Sequence, residues 1–202
     1  MNNIDRIYSE SENDVSLFAE GYLEYLGDLL KKLDCSEIAT FIGAMTSARN
    51  QGARIFFIGN GGSAATASHF ANDLSIGSRS WALPYRVCAL TDNQAIITAI
   101  ANDYGYDDVF ALQLKTLATS GDTLVAISAS GNSANLIKAV TYAKDQNIRT
   151  ISLTGFDGGK LKPLCDLNVH IETPKGEYGP VEDIHMVLDH LTGAFLLKEN
   201  SF

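Results

Sequence analysis

The sequence predicts an α/β protein with a doubly wound, five-stranded parallel sheet flanked by helices. Three observations predict it. Short apolar runs at 55–58, 85–90, 124–128, 150–153 and 167–171 alternate with helical stretches, an order that calls for right-handed crossovers between parallel strands. Two of these runs end in Gly/Ser loops that lead directly into helices. Two amphipathic helices precede the first strand, and no composition shift marks a second domain, so residues 1–202 read as one domain with a helical segment at 1–52 and the α/β core at 53–202.

In chain order, 1–13 is polar and is expected to be mobile. From 15 to 33, Leu17, Phe18, Tyr22, Tyr25, Leu26, Leu29, Leu30 and Leu33 recur at steps of three and four, the spacing of one helix face. Ser36 is expected to cap a second helix over 37–50, with Ile38, Phe41, Ile42 and Met45 on its apolar side and Gly52 ending it. These two helices either cover a face of the sheet or pack on another subunit.

The first strand runs into Gly59-Asn60-Gly61-Gly62-Ser63 and then a helix over 64–74. A second strand and helices over 93–102 and 107–118 follow. The third strand ends in Ser128-Ala129-Ser130-Gly131-Asn132-Ser133 and enters a helix over 134–144. After the last strand comes a polar loop at 173–179, and Pro180 opens a final helix bearing Val181, Ile184, Val187, Leu188, Leu191 and Phe195.

A strand, a Gly-rich turn and a helix in that order aim backbone N–H groups and a helix dipole at one point, which suits a phosphate. A single such turn is commonly only a turn. Two serine-bearing loops at the carboxyl ends of two strands of one sheet, where open α/β sheets bind ligands, point to a small phosphorylated molecule held by neutral donors. Neither loop has the Lys of a nucleotide P-loop or the glycine spacing of a dinucleotide fingerprint.

Composition narrows the partners. The formal net charge of −9 argues against nucleic acid and anionic membrane surfaces. No apolar run approaches the roughly 18 residues of a membrane span, and Met1-Asn2-Asn3-Ile4-Asp5-Arg6 lacks a signal-peptide pattern, so a cytoplasmic location is expected. Cys35, Cys88 and Cys165 suggest neither a disulfide framework nor a zinc ribbon.

Chemistry can be sought on two helices. His69 and Asp73 share a face one turn apart, a spacing that can chelate a divalent ion and that is also a common solvated contact. The last helix offers Glu182, Asp183, His185, Asp189 and His190, with His185 and Asp189 at the same four-residue spacing. Spacing alone does not rank them.

Gly59-Asn60-Gly61-Gly62-Ser63, His69-Phe70-Ala71, Ala101-Asn102-Asp103-Tyr104-Gly105, the Ser128–Ser133 loop, Leu153-Thr154-Gly155 and Glu182-Asp183-Ile184-His185, in this order, resemble the sugar isomerase (SIS) domain, a flavodoxin-like fold. More narrowly they resemble the bacterial phosphoheptose isomerases, over nearly the whole chain. The resemblance implies interconversion of sedoheptulose 7-phosphate and D-glycero-D-manno-heptose 7-phosphate through an enediol, feeding lipopolysaccharide or capsule heptose synthesis. It implies phosphate held by Ser63, Ser128, Ser130 and Ser133 beside Ala129, and sugar lined by Asn60, Gly61, Gly62, Asn102 and Asp103. It further implies one zinc per site on His69, Asp73, Glu182 and His190, an acid/base pair of Asp73 and His190, and a homotetramer.

Two positions depart from the family, which has Glu at Asp73 and Gln at Glu182. The shorter Asp73 sets a carboxylate back by about 1.5 Å, a misplacement that can cost roughly a hundredfold in rate. Either Glu182 takes over as base while Asp73 remains a ligand, or the site serves another substrate or binding alone. Glu182 and His190 are also about 12 Å apart along a helix axis, so either the helix begins after Glu182 or the ligands come from different subunits. The competing readings are a non-catalytic SIS module that binds a phosphosugar or a protein such as a replication initiator, and an isomerase of five- or six-carbon phosphosugars.

Overall fold

Three helices precede the sheet in the computed structural model, which describes residues 2–199. The first, α1 (Asn3–Glu10), stands where mobility was expected; of that stretch, Met1 lies outside the described residues. Asn2 caps it by accepting from the Asp5 amide, Ile7 is buried against Gly21, and the Asn3 amide donates to Glu177 at 2.5 Å. Polar composition concealed the helix because its anchor lies 174 residues away. The helices α2 (Val15–Lys31) and α3 (Cys35–Asn50) follow the apolar spacing. The cap of α3 is Asp34 rather than Ser36: Asp34 keeps the extended backbone a cap needs and accepts from the Ser36 amide at 2.7 Å, with Ser36 already inside the helix. Gly52, at φ +67°, supplies the left-handed residue just beyond the end of α3.

The rest of the chain alternates. It runs β1 (Arg54–Gly59), α4 (Gly62–Asn72), β2 (Arg86–Ala89), α5 (Gln94–Asp103), α6 (Ala111–Leu117), β3 (Thr123–Ser128), α7 (Ala134–Asp145), β4 (Arg149–Thr154), α8 (Leu161–Leu164), β5 (Leu167–His170) and α9 (Tyr178–Glu199). All five strands are parallel, in the order β2-β1-β3-β4-β5. Gly59 pairs with Ile127 and Ser128 with Thr154, so the ends of β1 and β3 lie side by side. The chain leaves β1 toward β2 on one side and returns to β3 on the other, which opens a crevice between the loops that follow β1 and β3.

Strand side chains alternate between two cores. Ile55, Phe57, Val125 and Ile127 pack with Phe41, Met45, Phe70, Ile184 and Leu188 of α3, α4 and α9. Phe56, Ile58, Leu124 and Ala126 pack with Leu114, Leu136 and Val140 of α6 and α7. Phe57 and Phe70 stack with ring centroids 4.9 Å apart, seating α4 on β1, and α4 lies along α9 on the same face. α9 is therefore both a core helix and the wall of the α4 site.

Three further elements differ from expectation. The 107–118 stretch is divided into a 3-10 turn at Tyr106–Asp108 and α6, with Gly105 at φ +107° setting the turn. α9 starts at Tyr178, with Pro180 in the first turn where its missing N–H is no loss. The α4 helix continues into a π-helical turn at Asp73–Gly77, closed by the Ser78 amide donating to the Asp73 carbonyl at 2.8 Å. Such turns are rare and shift side-chain register where they occur. No helix among the described residues is long and apolar enough to cross a membrane.

Candidate functional site

Gly61, at φ 55°, begins α4 without any side-chain cap, and α7 likewise begins at Ser133 without one. Helix amides left in this way need an external acceptor. Both amino ends open on one recess of about 150 Å³, lined by Asn60, Ser63, Ser128, Ala129, Ser130, Ser133, Tyr178 and Glu182 among others. The structure thus brings the four expected serines together. Asn60 is fixed beside them: its amide and that of Asn135 exchange hydrogen bonds at 3.0 and 2.9 Å, and Tyr106 donates to its Oδ1 at 2.9 Å. The sequence reading did not single out Asn135, Tyr106 or Tyr178. Tyr106 had a signal only in following the Asn102-Asp103-Tyr104-Gly105 motif. Asn102 and Asp103 end α5, exposed and bonded to each other at 2.7 Å, outside the residues lining the recess.

Seven residues along α4 from Gly62, roughly 10 Å at the helical rise, stands His69. His69 Nε2 lies 3.3 Å from His190 Nε2, 3.6 Å from Asp73 Oδ2 and 3.6 Å from Asp189 Oδ2. Ligand atoms of these four side chains all fall within 4.8 Å of one another. Asp73 stands one turn after His69, its amide bonded to the His69 carbonyl at the end of α4, and the π turn begins with it; its carboxylate lies at ordinary contact distance, 3.5 and 3.6 Å, from where Cβ atoms on Gly193 of α9 and on Gly77 would be. Asn72 Nδ2 donates to Asp73 Oδ1 at 2.8 Å and orients it.

Glu182 does not join the cluster. Because α9 begins at Tyr178, Glu182 and His190 lie on one unbroken helix, too far apart along its axis to share an ion within a chain. The Glu182 carboxylate instead packs against the amino end of α4, where a Cβ on Gly62 would come within 2.2 Å of Oε2. Its place in the cluster is taken by Asp189. The His185–Asp189 pair suggested by spacing is also not made: both side chains are fully buried and no hydrogen bond joins them.

Burial shapes the electrostatics. The Asp189 carboxyl is pushed up to about 7, first by burial and then by the Asp73 charge. Burial, and secondarily Asp183, raises Glu182 above the usual carboxylate range. Both shifts move carboxyl groups toward the range of a working acid or base. The donor set of two imidazoles and two carboxylates, one of them buried with neither oxygen bonded, is the chemistry of a divalent-ion site.

Comparison with known proteins follows the same lines. The SIS domain family matches residues 21–155. The chain is similar to the phosphoheptose isomerase of Rhodospirillum rubrum, 39% identical over 159 residues that cover 78% of this chain and 84% of the relative. It is 44% identical to that of Aliarcobacter butzleri over 139 residues, 69% of this chain and 72% of the relative. Among solved structures, phosphoheptose isomerase GmhA from Neisseria gonorrhoeae superposes with a TM-score of 0.78 at 34% identity, covering 92% of this chain and 97% of that one. The Francisella tularensis phosphoheptose isomerase superposes with a TM-score of 0.79 at 28% identity, covering 98% and 100%. With a phosphate-sized recess between two serine loops, a His/Asp cluster two helical turns away and relatives of this closeness, the chain belongs to the phosphoheptose isomerase family of SIS-domain proteins.

Proposed function

We propose that this protein is an aldose–ketose isomerase that interconverts sedoheptulose 7-phosphate and D-glycero-D-manno-heptose 7-phosphate. The observation that carries the reading is that one helix, α4, joins the two halves of the site: its amino end forms the serine recess and its carboxyl end the His/Asp cluster. Phosphate held at Ser63, Ser128, Ser130 and Ser133 leaves the far end of an extended sugar at the cluster, about 10 Å away.

The reaction moves a proton between C1 and C2 through an enediol, so one group must collect and return the carbon proton while another manages the oxygen protons. His190, exposed at the cluster, suits the oxygen side. Of the two carboxylates expected for the carbon side, Asp73 stands at the cluster where the reacting end of the sugar lies, while Glu182, raised above the usual carboxylate range, stands at the phosphate end of the same chain's site. Asn60, Gly61 and Gly62 line the sugar, with Asn102 and Asp103 at the exposed end of α5 assigned to it by family likeness. His69, Asp73 and His190 would hold zinc, which when bound supplies positive charge against the developing oxyanion. The whole chain acts as one domain in a cytoplasmic homo-oligomer, a tetramer by family likeness, serving surface-polysaccharide heptose synthesis. An apolar groove between α3 and α9, walled by Ile38, Ile42, Leu191 and the half-exposed Phe195, supports the assembly.

The test is incubation of metal-free and zinc-loaded protein with sedoheptulose 7-phosphate in deuterated water. Deuterium entering at C1 or C2 is expected, faster in the zinc-loaded protein. Tight binding of the sugar with no label incorporated by either form would instead establish a binding module.

A further inference from the structure

The buried carboxylate of Asp189 has no role in the ligand set that family likeness implies. It is fully buried, neither of its oxygens has a hydrogen-bond partner, and it points at His69 Nε2 from 3.6 Å. A protein interior tolerates an unpaired carboxylate poorly unless a cation or donor stands against it. Its neighbours are the two other acceptors of the cluster, Asp73 Oδ2 at 3.6 Å and His190 Nε2 at 3.3 Å from the same imidazole nitrogen. Donor atoms at about 2.0 to 2.1 Å from a tetrahedral zinc ion lie about 3.3 to 3.4 Å from one another, close to the three separations from His69 Nε2, and all four donors fall within 4.8 Å of one another.

Glu182, the residue expected as the fourth ligand, faces elsewhere. It lines the serine recess and its carboxylate fills the space over Gly62, at the opposite end of α4. The two departures from the family pattern, Asp73 and Glu182, then have one explanation together with Asp189. A shorter carboxylate at 73, at the junction of α4 and the π turn, and a second carboxylate from α9 itself make a compact pocket with two nitrogen and two oxygen donors.

We propose that Asp189 is a metal ligand, completing with His69, Asp73 and His190 a four-donor site inside a single chain, and that Glu182 is no ligand but stands at the serine loops facing the sugar. This rests on the reading that the site holds a divalent ion. Two neutral imidazoles and two carboxylates balance the charge of that ion, and the orphaned Asp189 oxygens gain the cation they lack. Because all four donors come from α4 with its π turn and from α9, loading of the ion requires no partner subunit.

The experiment is a zinc competition titration with a chromophoric chelator, together with the visible absorption spectrum of the cobalt-substituted protein, on wild type, Asp189→Asn, Glu182→Ala and His69→Ala. Asp189→Asn is expected to weaken zinc by about 10- to 100-fold or more and to alter the cobalt bands, while Glu182→Ala leaves both as in wild type. Wild-type affinity and spectrum in Asp189→Asn, or a loss in Glu182→Ala in its place, overturns the proposal while leaving the metal reading intact. Failure of the wild type to take up one equivalent of zinc or cobalt overturns both. If Asp189→Asn does not fold, a crystal structure of the zinc-loaded wild type decides. An Asp189 oxygen within about 2.2 Å of the ion upholds the assignment, and a Glu182 oxygen there ends it.

Discussion

His69 and His190, 121 residues apart in the chain, face each other Nε2 to Nε2 across 3.3 Å with their rings at 74°. Two imidazole nitrogens this close either share a proton or share a cation, and the carboxylates of Asp73 and Asp189 beside them favour positive charge between. Replacing His190, an exposed residue, removes the proposed proton-handling group without opening the core. His190→Asn is expected to lower kcat for the heptose phosphate by about 10²- to 10⁴-fold with a melting temperature near that of wild type. A coupled turnover assay beside calorimetry checks both.

On the proposed reading the serine recess sets affinity rather than chemistry. Each serine lost removes one hydrogen bond to a charged group, about 1.5 to 3 kcal/mol, or roughly 10- to 100-fold. Ser63→Ala and Ser133→Ala should each raise KM by about that factor with kcat changed far less. An unchanged KM in both would displace the phosphate from this recess.

Gly62 is a test of where Glu182 stands. A Cβ there would meet Glu182 Oε2 at 2.2 Å, and the clash is with the end of a flexible side chain, so the helix can form by pushing the carboxylate aside. Gly62→Ala is expected to keep its stability within about 1 kcal/mol and to lose at least tenfold in turnover. Denaturant titration and initial rates separate the two effects.

Burial holds His185 neutral, its group pushed down from 6.5 to about 3, with the nearby His170 adding to the effect and the Thr154 carbonyl opposing it. Between these values the unfolded chain takes up a proton that the native chain refuses. Stability from this residue is therefore whole above pH 6.5 and falls as pH drops toward 3, by on the order of 2 to 3 kcal/mol at pH 4.5. Urea midpoints at pH 7 and 4.5 should fall less for His185→Leu than for wild type.

The amino-terminal helix depends on a distant carboxylate. Glu177, 1% exposed, accepts from the Asn3 amide and from the Tyr25 hydroxyl, while Tyr22 reaches Asp183 at 2.5 Å. Glu177→Ala leaves the half-buried donors of Asn3 and Tyr25 without their acceptor and should destabilise by about 1 to 2 kcal/mol. Limited proteolysis is expected to cut first between α1 and α2.

Much of this was legible in the residues. The parallel sheet follows from apolar runs of strand length alternating with helical spacing. The recess follows from Ser63 and the Ser128–Ser133 loop, because a turn's chemistry is local and a strand end has a known place in such a sheet. His69, Asp73 and His190 were nameable for their type and, by resemblance, for their partnership. Asp189 was not, since its one sequence clue, the spacing to His185, leads to a contact the fold does not make.

The amino-acid order alone determined which segments become strands and helices, and that two serine loops flank the switch between β1 and β3, because backbone periodicity and glycine conformation act over a few residues. Only the tertiary structure decided that α1 is anchored by Glu177, that the Asp73 carboxylate lies against Gly193 of α9, and that Asp189 rather than Glu182 meets the histidines. Those outcomes depend on how α4 and α9 pack against each other on one face of the sheet, and the rotation of one packed helix against another is set by the whole core rather than by any stretch of it.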